Sequence, residues 1–273
     1  VPELPEVETV RRALEAHVRG RRVMRLEARP VQLRRPLDPE RLATALTGAR
    51  LQTPRRRGKH LLVDTSNGGT LLVHLGMTGR LILTDAARDE PRHTHLVLGL
   101  DDGRVLRYVD PRRFGLVHWL EPGEEALDPS LVRLGSEPLD PDLPALLPGL
   151  IRSRRAPIKS LLLDQHLIAG VGNIYANEAL WRARIDPARA GHRIAPRRLA
   201  RLATVLKEVL EEAIAAGGTT IRDFASLDTE AGLFAVKLRV YGRLDEPCPA
   251  CATPIRRRML AGRSTFFCPR CQR

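Results

Sequence analysis

The chain has 273 residues, 43% of them hydrophobic, and a formal net charge of +13. That length admits two domains or one large one, with enough apolar content for real cores. The positive surplus favours a polyanionic partner, most often nucleic acid. Apolar runs stay short of the roughly 18 residues of a membrane span, so a membrane protein is not expected.

The opening stretch "VPELPEVETV" is acidic and lacks the apolar centre of a secretory signal. Val7, Val10, Leu14 and Val18 recur at helical spacing, and Gly20 supplies a stop. Pro5 suits a first helical turn, and Glu6 and Glu8 suit the positive end of a helix. Helix grammar leaves Pro2 and Glu3 unexplained. From about Arg22 to Leu120 the pattern changes to short β-rich runs: "HLLVDT", "TLLVHLGM", "RLILT", "THLVLGL" and "RVLRYVD". Asp102-Gly103 between two of them predicts a hairpin. Residues 1–120 therefore read as a β-sandwich with one N-terminal helix.

Residues 121–150 contain Pro122, Pro129, Pro138, Pro141, Pro144 and Pro148, which predicts a linker. Residues 151–237 carry helical signals: "IKSLLLDQHLI" and "GNIYANEALWRARI" flank Gly170 and Gly172. A longer helix is predicted from about Pro196 to Ala216, with Leu199, Leu202, Leu206, Val209 and Ile214 on one side and Gly217-Gly218 at its end. A polar stretch over about 219–232 reads as a mobile loop.

Residues 238–273 hold all four cysteines, in "CPAC" at 248–251 and "CPRC" at 268–271. Two such knuckles 16 residues apart match a tetrahedral site in which Cys248, Cys251, Cys268 and Cys271 bind one structural Zn2+. Clustered thiols of this kind suit a reducing compartment rather than a disulfide framework. The segment between the knuckles reads as two short strands around "AGR", a hairpin with Arg263 at its tip, where it suits phosphate or groove contacts. Ala252 follows Cys251 where a knuckle often uses glycine, so a slightly strained turn is expected there.

Taken together, these stretches resemble the bacterial formamidopyrimidine-DNA glycosylase family over essentially the whole chain. The resemblance rests on "PELPEVETVRR", "RRGKHLL", "HLGMTGRL", "YVDPRRFG", "LLLDQHLIAGVGNIYANEALWRARI" and the terminal "CPRCQR". It implies an α+β multidomain architecture: an N-terminal β-sandwich with a helix, a helix–two-turn–helix domain, and a four-cysteine zinc finger hairpin. It implies a glycosylase and strand-cleaving lyase acting on oxidised purines in damaged double-stranded DNA. Such an enzyme is expected to be monomeric and cytoplasmic.

The resemblance also assigns roles. Pro2 attacks the sugar as an N-terminal secondary amine, Glu3 moves protons and Glu6 supports the site. Lys59 assists base loss or β-elimination; the alternative, a solvated surface lysine, is disfavoured by its "RRGK" context. Arg263 is implicated in phosphate contact and δ-elimination. Met77, Arg112 and Phe114 match the residues that fill the void left by a flipped nucleotide. On the residues alone, Met77 and Phe114 fit plain core packing. His93, Arg154, Lys159 and Asn173 match positions that contact the DNA backbone. His74 joins them or is a satisfied strand histidine, and Tyr241 is a further backbone candidate. Arg112 is expected to favour cytosine opposite the lesion, Thr78 to modulate lesion checking, and residues 218–234 to cover the flipped base.

Val1 precedes Pro2. A non-ATG start, read as valine but initiated with a removable methionine, is the expected explanation, since an amide nitrogen at Pro2 is no nucleophile. Two other readings stand beside the first. An endonuclease VIII-like glycosylase for oxidised pyrimidines usually differs at "PELPEVE" and at the Met77, Arg112 and Phe114 set. A non-catalytic zinc-finger damage binder needs neither Pro2 nor Glu3, and is the reading if residue 1 is retained.

Overall fold

A computed structural model describes residues 2–217 and 238–273. They fall into two compact units, one holding residues 2–132 and the other residues 133–216 with 238–273.

In chain order the first unit contains α1 (Leu4–His17), β1 (Val23–Ala28), α2 (Pro39–Leu46), β2 (Leu51–Arg57), β3 (His60–Thr65), β4 (Thr70–His74), β5 (Arg80–Asp85), β6 (Thr94–Leu100), β7 (Arg104–Val109) and β8 (Leu116–Leu120). Helix α1 starts at the N-cap Glu3 with a capping box, and the Glu3 N–H donates to Glu6 Oε2 at 2.9 Å. Pro5 lies in the first turn, where a missing N–H costs no helical bond. The strands form two antiparallel four-stranded sheets, ordered β1-β6-β7-β5 and β2-β3-β4-β8. Leu61, Val63 and Val73 from one sheet and Leu96, Leu98 and Leu106 from the other share a core with Val7 and Leu14 of α1. Burying such a side chain contributes about 1.5–3 kcal/mol, so alternating apolar residues hold the expected sandwich together.

Two elements go beyond the sequence reading. Helix α2 interrupts the β-rich half, with Asp38 as its N-cap accepting the Arg41 N–H at 3.0 Å and Leu42 and Leu46 buried. The signal was present in Asp38-Pro39-Glu40, a cap, a proline and an acid in helical order. Strand β2 carries Pro54 and three arginines, and it forms because it is an edge strand, where proline interrupts no second ladder.

The second unit contains α3 (Leu143–Ile151), α4 (Ile158–Leu163), α5 (Asn173–Arg182), α6 (Pro196–Ala215), β9 (Arg256–Leu260) and β10 (Arg263–Phe267). The stretch expected as a linker ends as helix α3. Pro144 occupies its first turn, and Leu143, Leu147 and Ile151 lie one turn apart and are buried against the helical core. Its burial outweighs Pro148 inside the helix. The cysteine module belongs to this same unit. Glu178 on α5 accepts the N–H groups of Arg239, Val240 and Tyr241 at 2.8 to 3.0 Å, and Asn177 Oδ1 accepts the Phe266 N–H at 2.8 Å. The segment expected to cover a flipped base, 218–234, lies outside the described residues, as does Val1. Among the described residues no helix is long and apolar enough to cross a membrane.

Candidate active site

Pro2 is half-buried and directly precedes the cap of α1, while Glu3 and Glu6 are only 3% and 4% exposed. The site thus begins with a proline at the positive end of a helix, flanked by two buried carboxyl groups. Lys59 is half-buried in the two-residue turn between β2 and β3, where Arg57 pairs with His60. The first turn residue, Gly58, has φ +56°. That is the pattern of a type II′ hairpin, which calls for glycine at this place.

Helix α1 packs on β2 and β3, and the Arg56 guanidinium ties the helix to the Lys59 turn. Arg56 Nε donates to Glu8 Oε2 at 3.2 Å, and its other end donates to the Gly58 carbonyl at 2.9 Å. Burial acts to raise the Glu8 carboxyl, but Arg11, Arg12 and Arg56 outweigh it and hold the group below its ordinary range. Glu8 therefore stays ionised and anchors the Lys59 turn to the helix that carries Pro2 and Glu3. Sequence reasoning placed Glu8 only as a helix-start acid and did not single out Arg56, because the contact spans 48 residues.

Met77 lies in the β4–β5 loop, and Arg112 and Phe114 in the β7–β8 loop. Phe114 is 45% exposed, with the Arg112 guanidinium 4.8 Å from its ring centre. Core packing therefore does not account for Phe114. Met77 is half-buried. The loops meet closely: at Gly76, with φ +61°, a Cβ would fall 2.5 Å from Phe114 backbone atoms.

His74 is a strand residue, as its alternative reading held. It is buried, its Nδ1 accepts the Gly76 N–H at 2.9 Å, and its ring meets His60 edge-on at 4.7 Å. Burial pushes its pKa well below the ordinary histidine value, so it stays neutral and shapes the Met77 loop. His93 is exposed, with a left-handed backbone at φ +66°.

In the second unit Arg263 is exposed and opens β10 directly after the Ala261-Gly262 turn, whose φ values are +48° and +69°. Arg154 is exposed, and its Nε donates to the Leu150 carbonyl at 2.9 Å. Tyr241 packs edge-on against Phe266 at 5.2 Å. Lys159, expected as a DNA-backbone contact, has internal partners. It is fully buried, and its Nζ donates to the Ser264 carbonyl at 2.9 Å and to Thr265 Oγ1 at 2.7 Å. Asn173, the first residue of α5, donates to the same carbonyl at 3.1 Å. Both side chains grip the finger hairpin next to Arg263. An ammonium with no exposure needs internal acceptors, and the hairpin supplies two.

The four cysteine sulfurs lie within 4.8 Å of one another, with pairs at 3.4, 3.5 and 3.9 Å. Bonds of about 2.3 Å to a tetrahedral zinc give edges of about 3.8 Å, so the set fits Zn2+. Trp181 Nε1 and the Cys271 N–H each point at a sulfur, at 3.4 Å from Cys248 and Cys268, donations that suit thiolates. Four sulfurs leave no open position, which makes the site structural. Ala252 adopts φ +59°, the strained turn expected from its lack of glycine.

Three family models match in succession: the formamidopyrimidine-DNA glycosylase N-terminal domain over residues 1–117, its H2TH domain over 134–225, and a zinc finger found in FPG and IleRS over 245–273. A formamidopyrimidine-DNA glycosylase of Paracoccus denitrificans is 47% identical, with both chains covered completely. The MutM (FPG) protein of Thermus thermophilus superposes with TM-score 0.84 at 42% identity, over 99% of this chain and 98% of that one. An FPG mutant of Lactococcus lactis in complex with a Fapy-dG containing DNA superposes with TM-score 0.88 at 35% identity, over the whole of both chains. With the two-sheet sandwich, the helical motif and the four-sulfur hairpin all present in order, the chain belongs to the formamidopyrimidine-DNA glycosylase family.

Proposed function

We propose that this enzyme excises its substrate base through the amine of Pro2. The chain is a DNA glycosylase and abasic-site lyase for oxidised purines, such as 8-oxoguanine and formamidopyrimidines, in duplex DNA. The observation that carries the mechanism is the buried Glu3–Glu6 pair at the start of α1, behind Pro2 and tied through Glu8 and Arg56 to the Lys59 turn.

A free α-amino group titrates near 7.7–8.0, and the positive end of a helix disfavours its ammonium form further. Pro2 then attacks C1′ of a flipped nucleotide. The glycosidic bond breaks, and the base leaves with its electron pair and takes up a proton. Ring opening leaves a cationic iminium on Pro2. Loss of a C2′ proton sends electrons toward C3′ and expels the 3′ phosphate; a second elimination expels the 5′ phosphate. Glu3 exchanges the protons at the sugar. Glu6 fixes the Glu3 backbone through its 2.9 Å bond. Lys59 assists base loss or β-elimination, and Arg263 contacts phosphate for the second elimination. The amine step needs residue 1 to be absent, because a preceding residue turns the nucleophile into an amide. Zinc, when bound, holds the finger hairpin in shape. A role on chromosomal DNA supports the expected place in the bacterial cytoplasm.

Borohydride added during reaction with 8-oxoguanine duplex reduces the iminium and links protein to DNA. Peptide mapping is expected to place the link at Pro2. A link at Lys59, or one formed with residue 1 retained, overturns the assignment.

A further inference from the structure

The two loops that carry Met77, Arg112 and Phe114 meet at one buried carboxylate. Asp110 has no solvent exposure. Its Oδ1 accepts the Thr78 hydroxyl at 2.6 Å, and its Oδ2 accepts the Gly115 N–H at 2.8 Å and the Tyr108 hydroxyl at 3.3 Å. Its main chain is engaged as well: the Asp110 carbonyl lies 3.0 Å from His95 Nε2, and its N–H donates to the His93 carbonyl at 3.1 Å.

The Thr78 hydroxyl has a second partner, since it accepts the Arg112 N–H at 3.3 Å. One hydroxyl therefore bridges the loops in both directions, donating to Asp110 and accepting from Arg112. Backbones close the rest of the gap. A Cβ at Gly76 would lie 2.5 Å from the Phe114 carbonyl, and one at Gly115 would lie 1.8 Å from the Tyr108 hydroxyl. A carboxylate taken out of water is costly unless its oxygens are filled. Here every donor named comes from one of the two loops or from the strand leading into them.

We propose that Asp110 and Thr78 are positioning residues that lock the Met77 loop to the Arg112–Phe114 loop, so that the three side chains enter the duplex as one rigid probe. The proposal rests on the assignment of Met77, Arg112 and Phe114 to the void left by the flipped nucleotide. Extrusion succeeds only while all three stand in place together. A preformed latch removes the cost of ordering them separately at that moment.

The test uses the full-length, zinc-loaded enzyme. Thr78→Val keeps the shape of the side chain and removes both hydrogen bonds, whereas Thr78→Ser keeps the hydroxyl. Single-turnover excision of 8-oxoguanine opposite cytosine is measured beside strand cleavage at a preformed abasic site, which has no base to extrude. Thr78→Val is expected to slow excision by roughly tenfold or more and abasic-site cleavage by much less. Thr78→Ser is expected to stay near wild type. In an Arg112→Ala background Thr78→Val should still slow excision, but by a smaller factor than in wild type, because the latch then holds only Met77 and Phe114 in place.

Wild-type excision by Thr78→Val overturns the proposal, as do equal losses on both substrates. Independent, multiplying losses from Thr78→Val and Arg112→Ala overturn it too. The underlying assignment fails separately: it falls if Arg112→Ala alone excises at the wild-type rate. If Arg112→Ala is slow and Thr78→Val is not, only the latch falls.

Discussion

The two units of the molecule present the residues expected at the DNA in opposite ways. In the sandwich, the side chains expected to probe the duplex stand outward: Phe114 is half-exposed, and Arg112 lies over its ring. Partners beneath them, the buried Asp110 and His74 and the half-buried Thr78, do the holding. In the helical unit, Lys159 and Asn173 turn inward and spend their hydrogen bonds on the hairpin that carries Arg263. On the proposed roles, the first unit would meet DNA through the matched residues themselves, and the second through one arginine whose hairpin the matched residues hold. A family motif therefore marks a position that matters without saying whether it touches the ligand.

The hardest way to break the comparison is to remove the metal. Structural zinc is worth about 10–16 kcal/mol in finger peptides, so Cys268→Ser should lose zinc, hairpin order and specific binding of damaged DNA together. Metal analysis and a binding titration check this, and retained affinity in zinc-free protein contradicts it.

Acid should strike the sandwich instead. Burial pushes His60 down to about 4 and His74 well below its ordinary value. Both are held neutral in the fold, while the unfolded chain takes up protons below about 6.5. Their contribution is complete above that pH and declines as pH falls toward 4. For His60 alone the loss by pH 4 is about 3 kcal/mol. Denaturant melts between pH 7 and 4 should show it, and His60→Gln should flatten the slope.

A smaller effect separates touching from aiming. Lys159→Met removes the ammonium and strands its two acceptors, at a cost of roughly 1.5–3 kcal/mol. A phosphate contact contributes about one unit to the salt dependence of DNA binding. Because Lys159 is buried, the salt slope should stay unchanged in Lys159→Met while the second elimination slows. Arg154→Ala should lower the slope by about one. Smallest of all, Ala252→Gly relieves a left-handed alanine and should raise the stability of the finger by about 1 kcal/mol, read by thermal melting of the zinc form.

Much of this arrangement was legible in the sequence, because its signals are local. The β-rich runs, the 3.6-residue spacing of α1 and α6, and the paired knuckles each declare themselves within a few residues. Ala252 was readable as strain for the same reason. What escaped was set by partners far along the chain. Lys159 and Arg56 are charges in basic sequence contexts, and each looks like a surface cation until its acceptors, 105 and 48 residues away, are known. Helix α3 escaped because proline was read as interruption, although Pro144 falls in a first turn and three apolar residues lie along one face. Thr78 was singled out only for lying beside Met77; its bond to Asp110 crosses 32 residues.

The buried Lys159 also bears on how the protein folds. Its acceptors lie more than 100 residues away, in the hairpin that zinc organises. Until that hairpin forms, the ammonium lacks two of the acceptors that offset its burial, which holds back the settling of α4. The helical core and the finger therefore complete their folding as one cooperative step. Metal loss at the cysteines should be felt as lowered protection of α4 amides, far along the chain from any sulfur.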